Sequence, residues 1–200
     1  MAMAVRSGVD RAATESLDQG VGSGAIPVSP PGRRDRPAAD HELGEVASPI
    51  EGVRLVRLQP IADDRGGLTE LIDLESDFWS EPIVYAYRIT IRPGRIKGWG
   101  MHKHQADRYF VSSPNLRVVL FDGRTASPTF GSLKQFHFGP GEEALLRIPP
   151  GVWHADQNYG DEDAAIINFP TRPYDPSNPD KFRIDPDSGE IPFDWELRNR

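Results

Sequence analysis

Three of the five histidines lie in two short segments whose residue types could support catalysis or metal binding. His102 and His104 are two residues apart, so on a β-strand both side chains would project from the same face. His154 follows the turn signal Pro149-Pro150-Gly151. His102, His104 and His154 could together ligate a divalent metal, or His102 could transfer protons near neutral pH. Some of them could instead only form hydrogen bonds inside a polar barrel.

The elements that must position these histidines are short strands. Runs rich in β-branched and aromatic residues alternate with Gly, Pro and Asp, and no stretch has a sustained helical period. The predicted strands cover residues 53–58, 68–72, 83–91, 107–112, 116–121, 132–138, 144–148 and 164–169. Residues 73–82 are predicted to form a loop or one helical turn. This pattern predicts an all-β, antiparallel sandwich or barrel, of which the double-sheet jelly roll is one form.

The two ends of the chain differ in composition from the part between them. Residues 1–49 are rich in Gly, Ala, Ser, Pro and Arg and poor in large apolar residues, which predicts a disordered tail. Residues 50–200 are predicted to be one domain, whose Pro-rich end from residue 172 wraps the surface with little regular structure. Four aromatic residues are expected to anchor this wrap: Tyr174, Phe182, Phe193 and Trp195.

Charge and composition limit the classes of partner. The formal net charge of −7 argues against nucleic-acid binding, which requires a basic surface. No apolar run approaches the length of about 20 residues that crosses a bilayer, so no membrane partner is expected. The sequence contains no cysteine, which is compatible with the predicted cytoplasmic location.

Two sets of motifs resemble known families. Gly98, His102 and His104, followed by Pro149, Gly151, His154 and Asn158, resemble the two motifs of the cupin superfamily. A closer resemblance, from residue 52 to 195, is to the dTDP-4-dehydrorhamnose 3,5-epimerase family. It is carried by Asp64-Arg65-Gly66 with Glu70, Ile96-Lys97-Gly98-Trp99, the Asp122–Gly131 stretch, Ile148–His154, Tyr174-Asp-Pro176 and Ile191–Trp195. The resemblance implies a cupin-type double-stranded β-helix, a homodimer, and a cofactor-free isomerase in deoxysugar or polysaccharide biosynthesis.

The same resemblance implies roles for individual residues. Family epimerases use a histidine base held by an aspartate, and a tyrosine acid on the opposite side of a dTDP-4-keto-6-deoxyhexose. The base falls on His102, the tyrosine position falls on Asn168, and the sequence offers no counterpart of the aspartate. The acid could then be Tyr85, Tyr87 or Tyr109, and we take Tyr109 as the prediction. The nucleotide-diphosphate sugar would be held by Arg65, Glu70, Lys97, Arg108 and Asn168.

Two other functions remain open at the level of the sequence. One is a metal-dependent cupin enzyme that uses the three histidines and a divalent metal ion. The other is a non-catalytic nucleotide-sugar binder, which the missing tyrosine and aspartate would explain. Bound metal after purification would favour the first, and ligand-induced stabilisation without turnover would favour the second.

Overall fold

The computed structural model describes residues 44–46 and 48–197. Within these ranges the chain forms short strands and one 3-10 helix, at Asp77–Trp79. The strands are β1 (Gly44–Val46), β2 (Arg54–Leu58), β3 (Ile61–Asp63), β4 (Gly66–Leu68), β5 (Tyr87–Ile91), β6 (Ile96–Met101), β7 (Asp107–Val111), β8 (Leu116–Asp122), β9 (Leu133–Phe138), β10 (Glu143–Ile148), β11 (Val152–Asn158), β12 (Ala164–Asn168) and β13 (Phe182–Arg183). No helix in this part of the chain has the length and apolar character needed to cross a membrane.

The strands pair antiparallel in two main sheets and one hairpin. The six-stranded sheet has the order β1-β2-β10-β7-β12-β5, the five-stranded sheet has the order β13-β6-β11-β8-β9, and β3 pairs with β4. Many neighbours are distant in sequence, as in β2 with β10 and β6 with β11. These long crossovers between two antiparallel sheets produce a jelly roll, which confirms the predicted fold class.

The main hydrophobic core lies between the two sheets. It combines Leu55, Tyr109 and Val111 of the six-stranded sheet with Val118 and Phe138 of the five-stranded sheet, all buried. Because side chains alternate along a strand, Asp107, Tyr109 and Val111 share the inner face of β7. The inner face of this sheet therefore presents one carboxylate at the end of an otherwise apolar row.

The outer face of each sheet is covered by an irregular segment. Phe78 and Trp79, in the predicted helical turn, pack with Phe169 on the outside of the six-stranded sheet. On the five-stranded sheet, Phe193 and Trp195 of the C-terminal segment pack against Trp99, with ring centroids 6.1 and 5.2 Å from it.

Only two of the four predicted anchors of the C-terminal segment are enclosed in this way. Tyr174 and Phe182 are exposed, and Phe182 belongs to the short strand β13. Phe193 and Trp195 therefore attach the segment to the fold, whereas the other two aromatic residues are left to face solvent.

Several boundaries differ from the sequence predictions. Residues 44–46 form β1 on the edge of the six-stranded sheet instead of belonging to a tail, and residues 1–43 and 47 lie outside the described part. Residues 83–86 are not in a strand, and the returning strand of the first hairpin ends at Leu68. Most important for the site, β6 ends at Met101, so that His102 and His104 lie in a turn.

Candidate active site

Two histidines and an aspartate converge between the sheets. His102 follows β6, Asp107 begins β7 and His154 lies within β11. The Nε2 atom of each histidine is 3.5 Å from Oδ2 of Asp107, and the imidazole centroids are 5.9 Å apart with nearly parallel rings. All three side chains are buried. The carboxylate therefore comes from one sheet, and the second sheet contributes both imidazoles.

The backbone fixes which ring nitrogen of each histidine carries the proton. Nδ1 of His102 contacts the backbone carbonyl of Asp180, and Nδ1 of His154 lies 3.4 Å from the carbonyl of Val152. A carbonyl oxygen can only accept, so in each neutral ring Nδ1 is the donor and the Nε2 lone pair faces Asp107. Burial lowers the pKa of His154 to about 4, which keeps this ring neutral at pH 7. The two Nε2 atoms and Oδ2 of Asp107 thus converge on one point between the sheets.

A hydrogen-bond network orients Asp107. Its Oδ1 accepts from Nε2 of Gln105 at 3.1 Å and from Nδ2 of Asn168 at 2.8 Å. The same Asn168 amide donates to the hydroxyl of Tyr87 at 2.8 Å. With Oδ1 held in this way, Oδ2 is left to face the two imidazoles.

Two adjoining cavities meet at this cluster. The larger, of about 600 Å³, is lined by residues that include Tyr85, Tyr87, His102, Arg172, Tyr174 and Lys181. The smaller, of about 150 Å³, is lined by residues that include Tyr87, Lys97, Tyr109, His154, Asp156 and Lys181. Tyr87 and Lys181 belong to both. The larger volume is in the range of small-molecule sites, which are usually about 300–1,000 Å³.

The acidic groups of the smaller cavity retain their protons. Burial, assisted by the charge of Asp107, raises the pKa of Asp156 to about 8. Oδ1 of Asp156 has no hydrogen-bond partner in the described part of the chain. Burial also raises the pKa of Tyr109 well above its usual value and that of Tyr87 to about 12. At neutral pH the cavity therefore holds neutral acids beside the amino groups of Lys97 and Lys181.

Comparison with known proteins identifies the family. No family model matches the chain. A Haloferax volcanii protein named "Probable low-salt glycan biosynthesis epimerase Agl13" is 36% identical over 148 residues, which cover 73% of this chain and 94% of that protein. The spore coat polysaccharide biosynthesis protein SpsL of Bacillus subtilis is 34% identical over 151 residues, covering 76% and 99%.

Solved structures agree with these relatives. The crystal structure of a dTDP sugar isomerase from Desulfovibrio desulfuricans G20 matches with a TM-score of 0.69 and 33% identity, over 75% of this chain and 94% of that one. Structures of dTDP-4-dehydrorhamnose 3,5-epimerases share the fold at TM-scores of 0.64–0.68 and 18–25% identity. This chain belongs to the dTDP-4-dehydrorhamnose 3,5-epimerase family. The resemblance drawn from the motifs and the predicted isomerase class are thereby confirmed.

Within this family fold, the structure brings some of the predicted site residues together. His102 and His154 meet at Asp107, and Lys97 and Tyr109 line the smaller cavity. Asn168 is completely buried, and its amide contacts Asp107 and Tyr87. It is therefore placed to orient other side chains.

Of the three predicted histidine ligands, His104 lies apart from the other two: it is exposed, lines the larger cavity, and does not belong to the cluster around Asp107. The carboxylate of Asp180 accepts hydrogen bonds from the backbone N–H groups of Lys103, His104 and Gln105, at 2.8, 2.8 and 3.0 Å. These bonds hold a turn, so His102 and His104 do not share the face of a strand. The third possible ligand beside His102 and His154 is consequently Asp107.

Arg108 lies on the opposite face of β7 from Asp107, so its predicted contact with a diphosphate does not fit the structure. Its guanidinium donates to the backbone carbonyls of Glu81, Pro82 and Phe169 at 2.7, 2.9 and 2.9 Å, and it lies 4.9 Å from the Trp79 ring. The side chain is fully buried. All three carbonyls belong to irregular chain, which this arginine holds to the sheet.

Arg65 and Glu70 are exposed and line neither cavity. Arg65 follows β3, and its guanidinium pairs with Asp63 in the hairpin. Their contact with the nucleotide stays a prediction, because neither side chain lines the two cavities.

The Asp122–Gly131 stretch, which contributed to the resemblance, has a structural role. The buried carboxylate of Asp122 accepts from the Arg124 guanidinium and from the hydroxyls of Ser127 and Thr129, at 2.6–2.8 Å. Burial opposes ionisation, but these hydrogen bonds dominate and lower the pKa of Asp122. The motif shapes a loop and lies outside both cavities.

Sequence reasoning missed the roles of Asp107, Asp156, Asp180 and Lys181. Strand alternation could have located the first two, since Asp107 is two residues from Tyr109 and Asp156 is two residues from His154. Asp180 and Lys181 carried no such signal, because they lie in an irregular segment far along the chain. Only the folded chain brings that segment over the histidines.

Proposed function

We propose that this protein epimerises a dTDP-4-keto-6-deoxyhexose by moving a proton on a carbon next to the ketone, in deoxysugar or polysaccharide biosynthesis. The observation that carries the proposal is the Nε2 lone pair of His102. It is buried, faces Asp107, and has no hydrogen-bond partner in the described part of the chain. Two relatives, one named as a glycan biosynthesis epimerase and one as a dTDP sugar isomerase, support the same chemistry.

The chain's own residues can perform the first proton transfer. A C–H bond beside a ketone is acidic because the electron pair left behind is delocalised onto the keto oxygen. Nε2 of His102 accepts the proton, and the imidazolium that forms is stabilised by the carboxylate of Asp107 3.5 Å away. Lys97 and Lys181 line the adjoining cavity and can stabilise the negative charge of the enolate.

The larger cavity supports a nucleotide-activated substrate. Its volume is about 600 Å³, and the aromatic rings of Tyr85 and Tyr174 with the guanidinium of Arg172 offer stacking and charge complementarity. A nucleotide diphosphate combines an aromatic base with two anionic groups.

The predicted homodimer and cytoplasmic location belong to this proposal as well. The exposed apolar side chains of Leu68 and Leu74, near the β3–β4 hairpin, support a surface for a second copy of the chain. Light scattering tests the homodimer by measuring the molar mass in solution.

Deuterium uptake tests the proposed chemistry. The protein is incubated in D₂O with dTDP-4-keto-6-deoxyglucose, and the recovered sugar nucleotide is analysed by mass spectrometry. We expect protein-dependent uptake that His102→Ala abolishes and His137→Ala preserves, because His137 is exposed on β9 and lines neither cavity. Absence of uptake with the unaltered protein would refute the proposal for this substrate. If the substrate then still raised the melting temperature, the chain would be a nucleotide-sugar binder.

A metal-dependent activity is the second candidate. The ligand atoms of His102, Asp107 and His154 all lie within 4.8 Å of one another. Two neutral imidazoles and a carboxylate suit zinc, iron or manganese, so these residues fit a divalent ion. A metal held there would supply Lewis-acid polarisation of a substrate oxygen. Metal analysis of the purified protein, with His154→Gln as the matched variant, decides between the candidates: stoichiometric metal that this substitution removes would favour the metal enzyme.

A further inference from the structure

We propose that Tyr87 is the acid that returns a proton to the sugar from the side opposite His102, an assignment that rests on the proposed epimerase function. The family's tyrosine position is occupied by Asn168, whose amide has no acidic proton to give. Tyr109, the residue predicted from the sequence, is 2% exposed and lines only the smaller cavity. Tyr87 is the tyrosine whose hydroxyl the site holds in place.

The hydroxyl of Tyr87 is fixed by the amide that also orients the base. Tyr87 and Asn168 are direct neighbours in the β5–β12 ladder. Nδ2 of Asn168 donates to the Tyr87 hydroxyl at 2.8 Å and to Oδ1 of Asp107 at 2.8 Å. Because this hydroxyl oxygen accepts from the amide, its own proton remains free to be donated. No described residue accepts that proton, which leaves it for a ligand in the cavity.

Tyr87 and His102 approach the larger cavity from different sheets. Tyr87 lies on β5, at the edge of the six-stranded sheet, whereas His102 follows β6 of the five-stranded sheet. Both side chains line the cavity. Inversion at carbon requires that the proton leaves from one face and arrives at the other. A base and an acid that enter the cavity from different sheets can satisfy that requirement.

The proton and electron inventory of the step is balanced. The C–H bond beside the ketone breaks, its proton binds to Nε2 of His102, and its electron pair forms the enolate. The enolate carbon then takes the hydroxyl proton of Tyr87, and the O–H electron pair stays on the phenolate. Solvent returns a proton to the phenolate and removes one from the imidazolium. Since burial raises the pKa of Tyr87 to about 12, the phenol is protonated at the start of each turnover.

The test separates proton exchange from inversion. In D₂O with dTDP-4-keto-6-deoxyglucose, Tyr87→Phe should still exchange, because the deuterated imidazolium of His102 can return a deuteron to the same face. Inversion should fall by about 10²–10⁴-fold, the usual contribution of a positioned acid, while exchange stays within about tenfold. Tyr159→Phe is the matched control, since Tyr159 lies at the other end of β11 and lines neither cavity. Variants that still exchange are by that fact folded.

Three other results would contradict either the assignment of Tyr87 or the proposed function. If Tyr109→Phe separates exchange from inversion and Tyr87→Phe does not, Tyr109 is the acid. If Tyr87→Phe folds but loses both activities, Tyr87 is not specific to proton return. If the unaltered protein neither exchanges nor inverts, the proposed function fails for this substrate, which is distinguishable from failure of the acid assignment.

A pH profile of the unaltered protein gives a second test that does not depend on a variant. With Tyr87 as the acid, the ratio of inversion to exchange should stay level from pH 6.5 to 9. A ratio that changes across this range would mean that the acid ionises there, which would overturn the assignment to Tyr87.

Discussion

Replacing Asp107 by asparagine removes the negative charge beside both imidazoles and leaves the shape of the side chain almost unchanged. The asparagine oxygen can still accept from Gln105 and Asn168, which preserves the network around it. Its amide nitrogen would then face Nε2 of His102 and could donate to the lone pair that the proposed mechanism needs. The substitution should therefore slow proton abstraction for two reasons, the lost charge and the new donor, and should leave the fold almost unchanged.

The 3.5 Å separation fixes the size of the expected effect. With an effective dielectric constant of about 20, two unit charges at this distance attract by about 5 kcal/mol. Only part of the positive charge has developed on His102 in the transition state, so about half of this attraction is lost there. A loss of about 2.4 kcal/mol corresponds to about 60-fold in rate. The free energy of unfolding should change by less than about 1 kcal/mol, because no buried donor loses its acceptor.

Deuterium exchange measures the rate, and urea denaturation measures the free energy of unfolding. The matched control is Asp163→Asn, which changes an exposed aspartate in the turn before β12. An Asp107→Asn protein that exchanges within about threefold of the unaltered protein would refute the role given to this carboxylate. A variant that loses more than about 3 kcal/mol of stability would show that the negative charge is needed for folding instead.

Two further substitutions test the electrostatic description. The unfolded chain has the ordinary aspartate pKa of 3.8 but the folded chain holds the Asp156 proton up to about pH 8, so stability should fall by about 1.4 kcal/mol per pH unit between pH 6.5 and 8. Urea denaturation of Asp156→Asn should show no such dependence of the free energy of unfolding on pH. The comparison starts at pH 6.5, because below this pH the neutral His154 makes stability rise with pH. Arg108→Lys should destabilise the fold by about 3 kcal/mol, because an ammonium cannot reach three carbonyls. A raised KM at unchanged stability would instead restore the predicted diphosphate contact.

The sequence predicted the sheets better than it predicted the site. Strand periodicity is a local property, so alternating residues located β7, β8, β10 and β12 to within a residue or two. His104 shows where local reasoning fails. Its spacing from His102 would put both side chains on one face of a strand, but the carboxylate of Asp180, 76 residues away, accepts from the backbone N–H groups and the chain turns there. Arg108 fails for a related reason, since a charged residue at the end of a strand gave no sign that carbonyls from two distant segments would enclose it.

Lys97 lies in the site although the alternation of side chains along β6 would place it on the outer face, because β6 contains a bulge. Counting back from His102 in steps of two gives Gly100 and Gly98 on the inner face, with Lys97 outside. In the structure Gly100 lies opposite His154 but Lys97 lies opposite Asp156, so β6 contains one residue more than β11 over this interval. Such a bulge reverses the alternation, and it brings Lys97 into the smaller cavity.

Gly98 permits that bulge. A Cβ atom at this position would overlap the Cβ of Ala155 on the neighbouring strand. The family resemblance, rather than the alternation of residues, was therefore what assigned Lys97 to the site. Alternation could not place Lys97 in the site, because the bulge depends on the close approach of two strands that are more than fifty residues apart in sequence.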